Sequence, residues 1–290
     1  MKGTWSGLVA LITGASSGIG KATAMKIAAA GGVPLLVART ESKLVEVKEE
    51  IEAAGGTAYV YPADLTDLDS IQAVAERMLA DHPAVDMLVN NAGRSIRRSI
   101  VLSLDRFHDF ERTMQLNYFG AIKMIMALLP HMRERGFGHV VNVSSIGVQT
   151  GPPRFAAYVA SKSALDAWTR IVANEVVGDG ISFTTIHMPL VRTPMIAPTK
   201  MYDSFPTITP DEAADLVCEG LRVKPKQINT RLGTFGEVAY ALAPKAVDQI
   251  LHMAYKVFPE SAAATGKEDP QEKASGEATA LAYLMRGVHW

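Results

Sequence analysis

Tyr158, Lys162 and Ser145 have the types and spacing to move a proton together. Tyr158 and Lys162 stand four positions apart, and Ser145 precedes the tyrosine by thirteen. On a helix, an i, i+4 pair shares one face. A phenol ordinarily ionises near pH 10, which is too high for easy exchange at neutral pH. A neighbouring ammonium favours the phenolate and lowers that value. A serine hydroxyl beside them would hydrogen-bond a substrate oxygen and stabilise charge developing there. Carbonyl reduction needs this equipment, because a hydride goes to carbon and a proton to oxygen. Tyr-x-x-x-Lys pairs also occur on ordinary helix surfaces, so the surrounding sequence has to decide.

A glycine-rich turn near the N-terminus supplies that context. Thr13-Gly14-Ala15-Ser16-Ser17-Gly18-Ile19-Gly20 has the form G-x-x-x-G-x-G after a short apolar run. Glycines at Gly14, Gly18 and Gly20 let backbone N–H groups approach a pyrophosphate that a Cβ would block. A helix starting there adds partial positive charge. The turn by itself is also compatible with a plain tight strand–helix connection. At the end of the second strand, where an NAD site usually has a carboxylate, the chain reads Ala38-Arg39-Thr40. The planar fork of Arg39 suits a 2′-phosphate, with Ser16 and Ser17 adding hydroxyls, and this favours NADPH. The alternative for Arg39 is a solvated loop charge.

The elements that must position these groups can be read from hydrophobic periodicity. Strands are expected at 8–13, 35–38, 57–61, 87–90, 140–144 and 182–187. Helices are expected at 21–30, 41–54, 68–80, 156–177 and 210–221, with a long helical region over 107–135 in which Pro130 marks a kink or break. Alternation of this kind implies βαβ units: an α/β fold with a doubly wound parallel sheet of about seven strands and helices on both faces. Residues 1–258 read as one domain, with a substrate lid over about 189–210 and a C-terminal helical extension. Residues 259–277 are rich in Ala, Gly, Ser, Glu and Lys and read as a flexible tether in the linker and tail 259–290. Beyond it Leu281, Leu284, Met285 and Trp290 form an apolar end able to dock on the body or on a neighbouring subunit.

Composition excludes several classes of function. The chain has 290 residues, 48% of them hydrophobic, enough for a sizeable core, and its formal charge of -1 gives no field that favours nucleic acid. Cys218 is its one cysteine, which rules out an intrachain disulfide; it reads as a helix residue without a redox role. His82, His108, His131, His139, His187, His252 and His289 lack metal-ligand spacing, so no metal is expected; His131 and His139 are assigned to helix ends or the surface. The N-terminus lacks a signal-peptide pattern, and no apolar run reaches the roughly 18 residues of a membrane span, so a cytoplasmic protein is expected.

Taken together, the glycine turn, Asn90-Asn91-Ala92-Gly93, Ser145 and the Tyr158/Lys162 pair resemble the short-chain dehydrogenase/reductase superfamily over about residues 8–220. The resemblance implies a Rossmann-like fold and a dimer or tetramer. It also implies that Asn117 completes a catalytic set with Ser145, Tyr158 and Lys162 by holding a water in a proton relay. Asp64 and Leu65 would border the adenine. Asn91, Ala92 and Gly93 would line the ribose, and Pro189, Val191 and Thr193 would meet the nicotinamide. Leu190 replaces a glycine common in that family.

A narrower resemblance rests on Arg94-Ser95-Ile96-Arg97-Arg98, Phe107 to Gln115, Ser144 to Val148, Arg154-Phe155, Met188 to Lys200 and the final His289-Trp290. These stretches are similar to bacterial long-chain fatty acyl-CoA reductases that form aldehydes, and to the C-terminal half of two-domain fatty acyl reductases. Met188, Met195, Ile196, Met201, Phe205 and Ile208 would then form an apolar lid for the chain, although ordinary lid packing explains them equally. Arg94, Arg97 and Arg98, with Arg154, would anchor the CoA phosphates; a solvated or intersubunit basic loop is the alternative. The basic surplus over 222–256 suits CoA phosphates, a lipid surface or plain solvation. The amphipathic stretch 238–258 suits peripheral membrane contact, the body or a second subunit. The competing functions are a ketone or 3-oxoacyl/aldehyde reductase of the same superfamily, and a non-catalytic NADPH-binding regulatory or scaffold domain.

Overall fold

The computed structural model describes residues 5–197, 199, 202, 205–258, 260 and 262–266. In chain order the elements are β1 (Val9–Thr13), α1 (Gly18–Ala29), β2 (Val33–Ala38), α2 (Glu41–Ala53), β3 (Tyr59–Pro62), α3 (Leu68–Asp81), β4 (Met87–Asn90), α4 (His108–Met114), α5 (Ala121–Arg135), β5 (Gly138–Val143), α6 (Gly147–Thr150), α7 (Ala156–Glu175), β6 (Ile181–Ile186), α8 (Pro210–Val223), β7 (Gln227–Ile228), α9 (Arg231–Leu242), α10 (Pro244–Val257) and α11 (Ala262–Thr265). The seven strands form one parallel sheet in the order β3-β2-β1-β4-β5-β6-β7. This is the expected doubly wound, Rossmann-like sheet.

The strands are apolar on both faces because both faces are covered. Along β1, Ala10 and Ile12 belong to a core shared with α1, α2 and α8, and Val9 and Leu11 to a core shared with α3 and α5. The strand order reverses between β1 and β4, which pair through Ala10↔Met87 to Ile12↔Val89. In open α/β sheets a ligand crevice opens beyond the carboxyl ends at such a point. The glycine turn follows β1 and the Asn91 loop follows β4, so both lie there.

The structure departs from the periodicity at several places. Pro130 neither breaks nor ends its helix, since α5 runs through it to Arg135. The carbonyl it leaves without its helical partner belongs to Met126, an exposed residue of the helix. The irregularity lies upstream instead, where Gln115–Gly120 forms a π-helical turn joining α4 to α5. An added Cβ at Gly120 would lie 2.3 Å from the Leu65 carbonyl oxygen, so this turn packs its backbone directly on the loop after β3.

His139 is a second correction. It lies fully buried on β5 and not at a helix end or on the surface. Thr184 donates its hydroxyl proton to the Pro225 carbonyl at 2.5 Å, so the 3.0 Å contact between His139 Nε2 and Thr184 Oγ1 has the histidine as donor. Burial pushes His139 down to about 4. His131 lies within α5, partly buried.

The stretch 238–258, read as one amphipathic segment, is a helical hairpin broken at Ala243–Pro244. Phe235, Val238, Leu242, Ile250 and Met253 are exposed on it. Cys218 is buried on α8, and burial pushes its thiol up to about 12. Within the expected tether, α11 is a short helix with Ala264 buried. Met201 and the apolar end at Leu281, Leu284, Met285 and Trp290 lie outside the described residues. Among the described residues no helix is long and apolar enough to cross a membrane.

Candidate active site

The glycine turn is built for close approach. Gly14 and Gly18 have φ of +66° and +54°, conformations that favour glycine. A Cβ at Gly20 would meet the Gly14 oxygen at 2.3 Å. Thr193 reaches the same turn, its Cγ2 lying 3.1 Å from where a Gly18 side chain would begin. Asn91 braces it from the β4 side: its Nδ2 donates to the Thr13 carbonyl at 3.0 Å, while the backbone N–H groups of Asn91 and Ala92 both donate to the Thr13 hydroxyl at 3.0 Å. Thr13 is a bracing residue that the motif reading passed over. It sits one position before the first motif glycine, at the end of a strand that otherwise offers no side-chain acceptor.

Arg39 stands exposed at the end of β2, and Ser16 and Ser17 line the turn nearby, partly buried and exposed respectively. Asp64 accepts from the Thr66 N–H at 2.9 Å and from its hydroxyl at 2.8 Å. These bonds, reinforced by Arg39 and Arg94, hold its carboxyl below the ordinary range. A cradle with no room for side chains at Gly14, Gly18 and Gly20, an arginine at the end of β2 and a carboxylate at the end of β3 fit a nicotinamide dinucleotide. Val191 is buried and bridges to Ile208, while Pro189 and Leu190 are partly exposed beside it. Leu190 accepts from the Ile208 N–H at 3.0 Å, so the lid folds back on this segment.

The four catalytic candidates converge from three elements. Ser145 follows β5, Asn117 sits in the π-helical turn, and Tyr158 and Lys162 lie on α7. Ser145 accepts from the Gly147 N–H at 3.1 Å and hydrogen-bonds Tyr158. Lys162 is buried and donates to the Val143 carbonyl at 2.8 Å. Burial pushes it down to about 8. Burial also raises the Tyr158 phenol, with the Ser145 hydrogen bond acting against it, so the lowering expected from Lys162 does not prevail. A phenol held neutral at physiological pH is the form a proton donor needs.

Asn117 is fully buried and clamps the chain after β4. Its Oδ1 accepts from the Arg94 N–H at 2.8 Å, and its Nδ2 donates to the Arg94 carbonyl and to Ser161 Oγ, both at 2.9 Å. Ser161 in turn donates to the Tyr158 carbonyl at 2.7 Å. Gly93 lies over this group, since a Cβ there would sit 3.3 Å from Asn117 Oδ1 and 3.5 Å from Lys162 Nζ.

The four arginines expected at a substrate anion divide into two pairs. Arg98 ion-pairs with the buried Asp109 at 3.4 Å and donates to the Ala264 carbonyl at 2.6 Å. Arg154 pairs with Glu260 at 3.0 Å, donates to the Tyr255 carbonyl at 3.0 Å and stacks its guanidinium 4.1 Å from the Tyr255 ring centroid. Both therefore hold the C-terminal segment. Arg94 acts on Asp64, and Arg97 is near enough to Tyr202 to oppose the upward push that burial gives its phenol. Of the lid residues, Met188 is buried in the core, Met195 is exposed and Ile196 is partly so. Phe205 packs edge-on against Phe258 at 5.8 Å, joining lid to C-terminal segment.

The sequence matches the short chain dehydrogenase family over residues 8–202. It is 53% identical over 284 residues to a fatty acyl-CoA reductase from Acinetobacter baylyi, covering 98% of this chain and 95% of that protein. It is 50% identical over 289 residues to an uncharacterised oxidoreductase from Mycobacterium tuberculosis, covering 98% and 85%. Its fold is similar to that of a metagenomic short-chain oxidoreductase solved in complex with NADP, with a TM-score of 0.66 and 32% identity over 77% of this chain and 94% of that one. With the sheet order, the glycine cradle and the converging side chains, these likenesses place the chain in the short chain dehydrogenase family of oxidoreductases.

Proposed function

We propose that this protein reduces long-chain fatty acyl-CoA to fatty aldehyde with NADPH. The observation that carries the reading is the gathering of Ser145, Tyr158, Lys162 and Asn117 beside the glycine cradle, in a chain 53% identical to a fatty acyl-CoA reductase over nearly its whole length. The bound cofactor supplies the hydride. Ser145 donates a hydrogen bond to the thioester oxygen, and Tyr158 gives that oxygen its proton. Lys162, with a pKa near 8, restores the proton to Tyr158, and Asn117 holds the water that feeds the relay. The hemithioacetal left on the substrate collapses to aldehyde and free thiol.

Arg39 holds the 2′-phosphate, with Ser16 and Ser17. Arg97 anchors the CoA phosphates, with Arg94 toward the adenosine end of the cofactor site. Met195, Ile196 and Phe205 cover the acyl chain. The exposed apolar hairpin of α9 and α10 gives the enzyme a surface for peripheral contact with lipid, and we assign it to the cytoplasm as a dimer or tetramer. The deciding assay follows NADPH oxidation with palmitoyl-CoA and measures both thiol and aldehyde. Stoichiometric release of both is expected. Turnover of ketones or 3-oxoacyl esters without thiol release would replace this reading with that of a ketone reductase.

A further inference from the structure

A second polar chain lies behind the tyrosine and lysine, and the reduction chemistry above does not use it. Asp166 stands one turn beyond Lys162 on α7. Its Oδ2 accepts from the Ser144 hydroxyl at 3.0 Å and from His187 Nε2 at 2.8 Å. His187, 5% exposed, places its Nδ1 2.6 Å from Asn229 Oδ1. The Asn229 amide is oriented by a separate bond, its Nδ2 donating to Gln227 Oε1 at 3.3 Å. Both ring nitrogens of His187 therefore face oxygen acceptors, an arrangement that only the doubly protonated imidazolium satisfies.

The chain flanks Ser145 in the backbone on both sides, through Ser144 and Ile146. Ser144 is the neighbour of Ser145, and its N–H donates to the Ile186 carbonyl at 2.9 Å. His187 precedes Met188, whose carbonyl accepts from the Ile146 N–H at 2.9 Å. The groups facing the pair are Ser144 just after β5, Lys162 and Tyr158 from α7, Asn229 after β7 and Glu237 from α9. The Asp166 charge is felt by both Lys162 and Tyr158, favouring the protonated form of each.

We propose that the partly buried Asp166 and the buried His187 are a positioning pair for the reduction: the carboxylate fixes the Ser144–Ser145 strand end, and the imidazolium offsets the field that Asp166 imposes on Lys162 and Tyr158. The proposal rests on the hydride-transfer reading of the site but not on the identity of the carbonyl substrate. His187 is consistent with this role in its own right, since the Asp166 contact raises its pKa against the downward pull of burial.

The experiment compares pH profiles of kcat/KM for the unmodified enzyme, His187→Gln and Asp166→Asn, with whichever carbonyl the enzyme turns over. His187→Gln keeps a donor to Asp166 and removes the cation. Its limb for the Tyr158/Lys162 group is expected to move up by about half a pH unit or more, and that of Asp166→Asn to move down. Both limbs staying fixed, or moving together, overturns the proposal and leaves a structural brace. Nitrogen NMR of His187 in the unmodified enzyme guards against misfolded variants. Two protonated ring nitrogens at pH 7 are expected, and a neutral ring at that pH overturns the pairing. A failure of the acyl-CoA reading appears separately, as absent thiol release, and leaves the NMR titration standing.

Discussion

Tyr158 has the environment of an acid more than that of a base. Burial holds its proton, Ser145 orients its oxygen, and Lys162 lies one turn along the same helix face. Tyr158→Phe is expected to leave NADPH binding nearly intact and to lower turnover by about two to four orders of magnitude, the usual loss on removing a general acid. Fluorescence titration with NADPH alongside steady-state rates checks both halves, and near-normal turnover would remove the tyrosine from the mechanism. Arg39 makes the other residue-scale claim. Exposed at the end of β2 without an acidic neighbour in the strand, it is expected to give a clear preference for NADPH. Arg39→Asp removes a charge-assisted contact worth roughly 1.5–3 kcal/mol. Equal kcat/KM for NADH and NADPH in the unmodified enzyme would contradict the assignment. These residues were legible in the sequence because motif spacing names them directly. Asp166 and His187 were not, because 21 residues separate them and no motif links them until β6 is laid beside β5 and α7.

At the scale of elements, the sheet was legible because buried parallel strands are continuous apolar runs between glycine-rich turns. The two-residue β7 was not, being too short to show a period. The π-helical turn was missed for a related reason: 107–135 keeps its helical spacing through the turn, and only contact with the Leu65 carbonyl reveals why Gly120 must be glycine. Gly120→Ala would force this turn away from the loop after β3 and displace Asn117, whose side chain holds both backbone groups of Arg94. The expected result is a fall in kcat with a lowered Tm, read by rates and thermal melting; an unchanged kcat would separate the turn from the site. His139 on β5 sets a pH dependence. Its folded pKa near 4 lies below the ordinary 6.5 of a histidine, so the unfolded chain binds the proton first as pH falls. Its contribution is fully present above about 6.5 and is lost as pH drops through 4. The fall from 6.5 to about 4 amounts to roughly 3 kcal/mol of stability. Denaturant unfolding between pH 7 and 4 should show that slope, and His139→Gln should flatten it. His187 works in the opposite direction: its raised pKa gives stability below its unfolded value that is lost as pH rises through the folded one.

Across the whole molecule, the arginines after β4 and near Tyr158 tie the C-terminal segment to the active-site end of the sheet. Composition alone read 259–277 as a loose tether, since it is poor in large apolar residues. What fixes its start is polar, and the partners are more than a hundred residues away: Glu260 and the Tyr255 carbonyl on Arg154, and the Ala264 carbonyl on Arg98. Arg154 also adopts φ +75°, a conformation that costs a non-glycine residue about 1–3 kcal/mol and persists only when its surroundings hold it. The backbone bond from the Arg98 N–H to the Arg154 carbonyl, 2.7 Å, links the two clamps. Truncation after Ser261 removes the Ala264 acceptor but keeps Glu260, Tyr255 and the Arg98–Asp109 ion pair, so it should lower Tm by a few degrees, in line with roughly 1–3 kcal/mol for a partly buried charged donor that loses one of its acceptors. Arg154→Ala breaks the other clamp, frees Phe258 from Phe205 and loosens the lid. On the proposed acyl-CoA reading, in which the lid covers the acyl chain, it is expected to raise KM for a long acyl ester more than for a short aldehyde. Identical KM changes for both substrates, with Tm unaltered in the truncated chain, would make the C-terminal segment a passenger on the reductase domain.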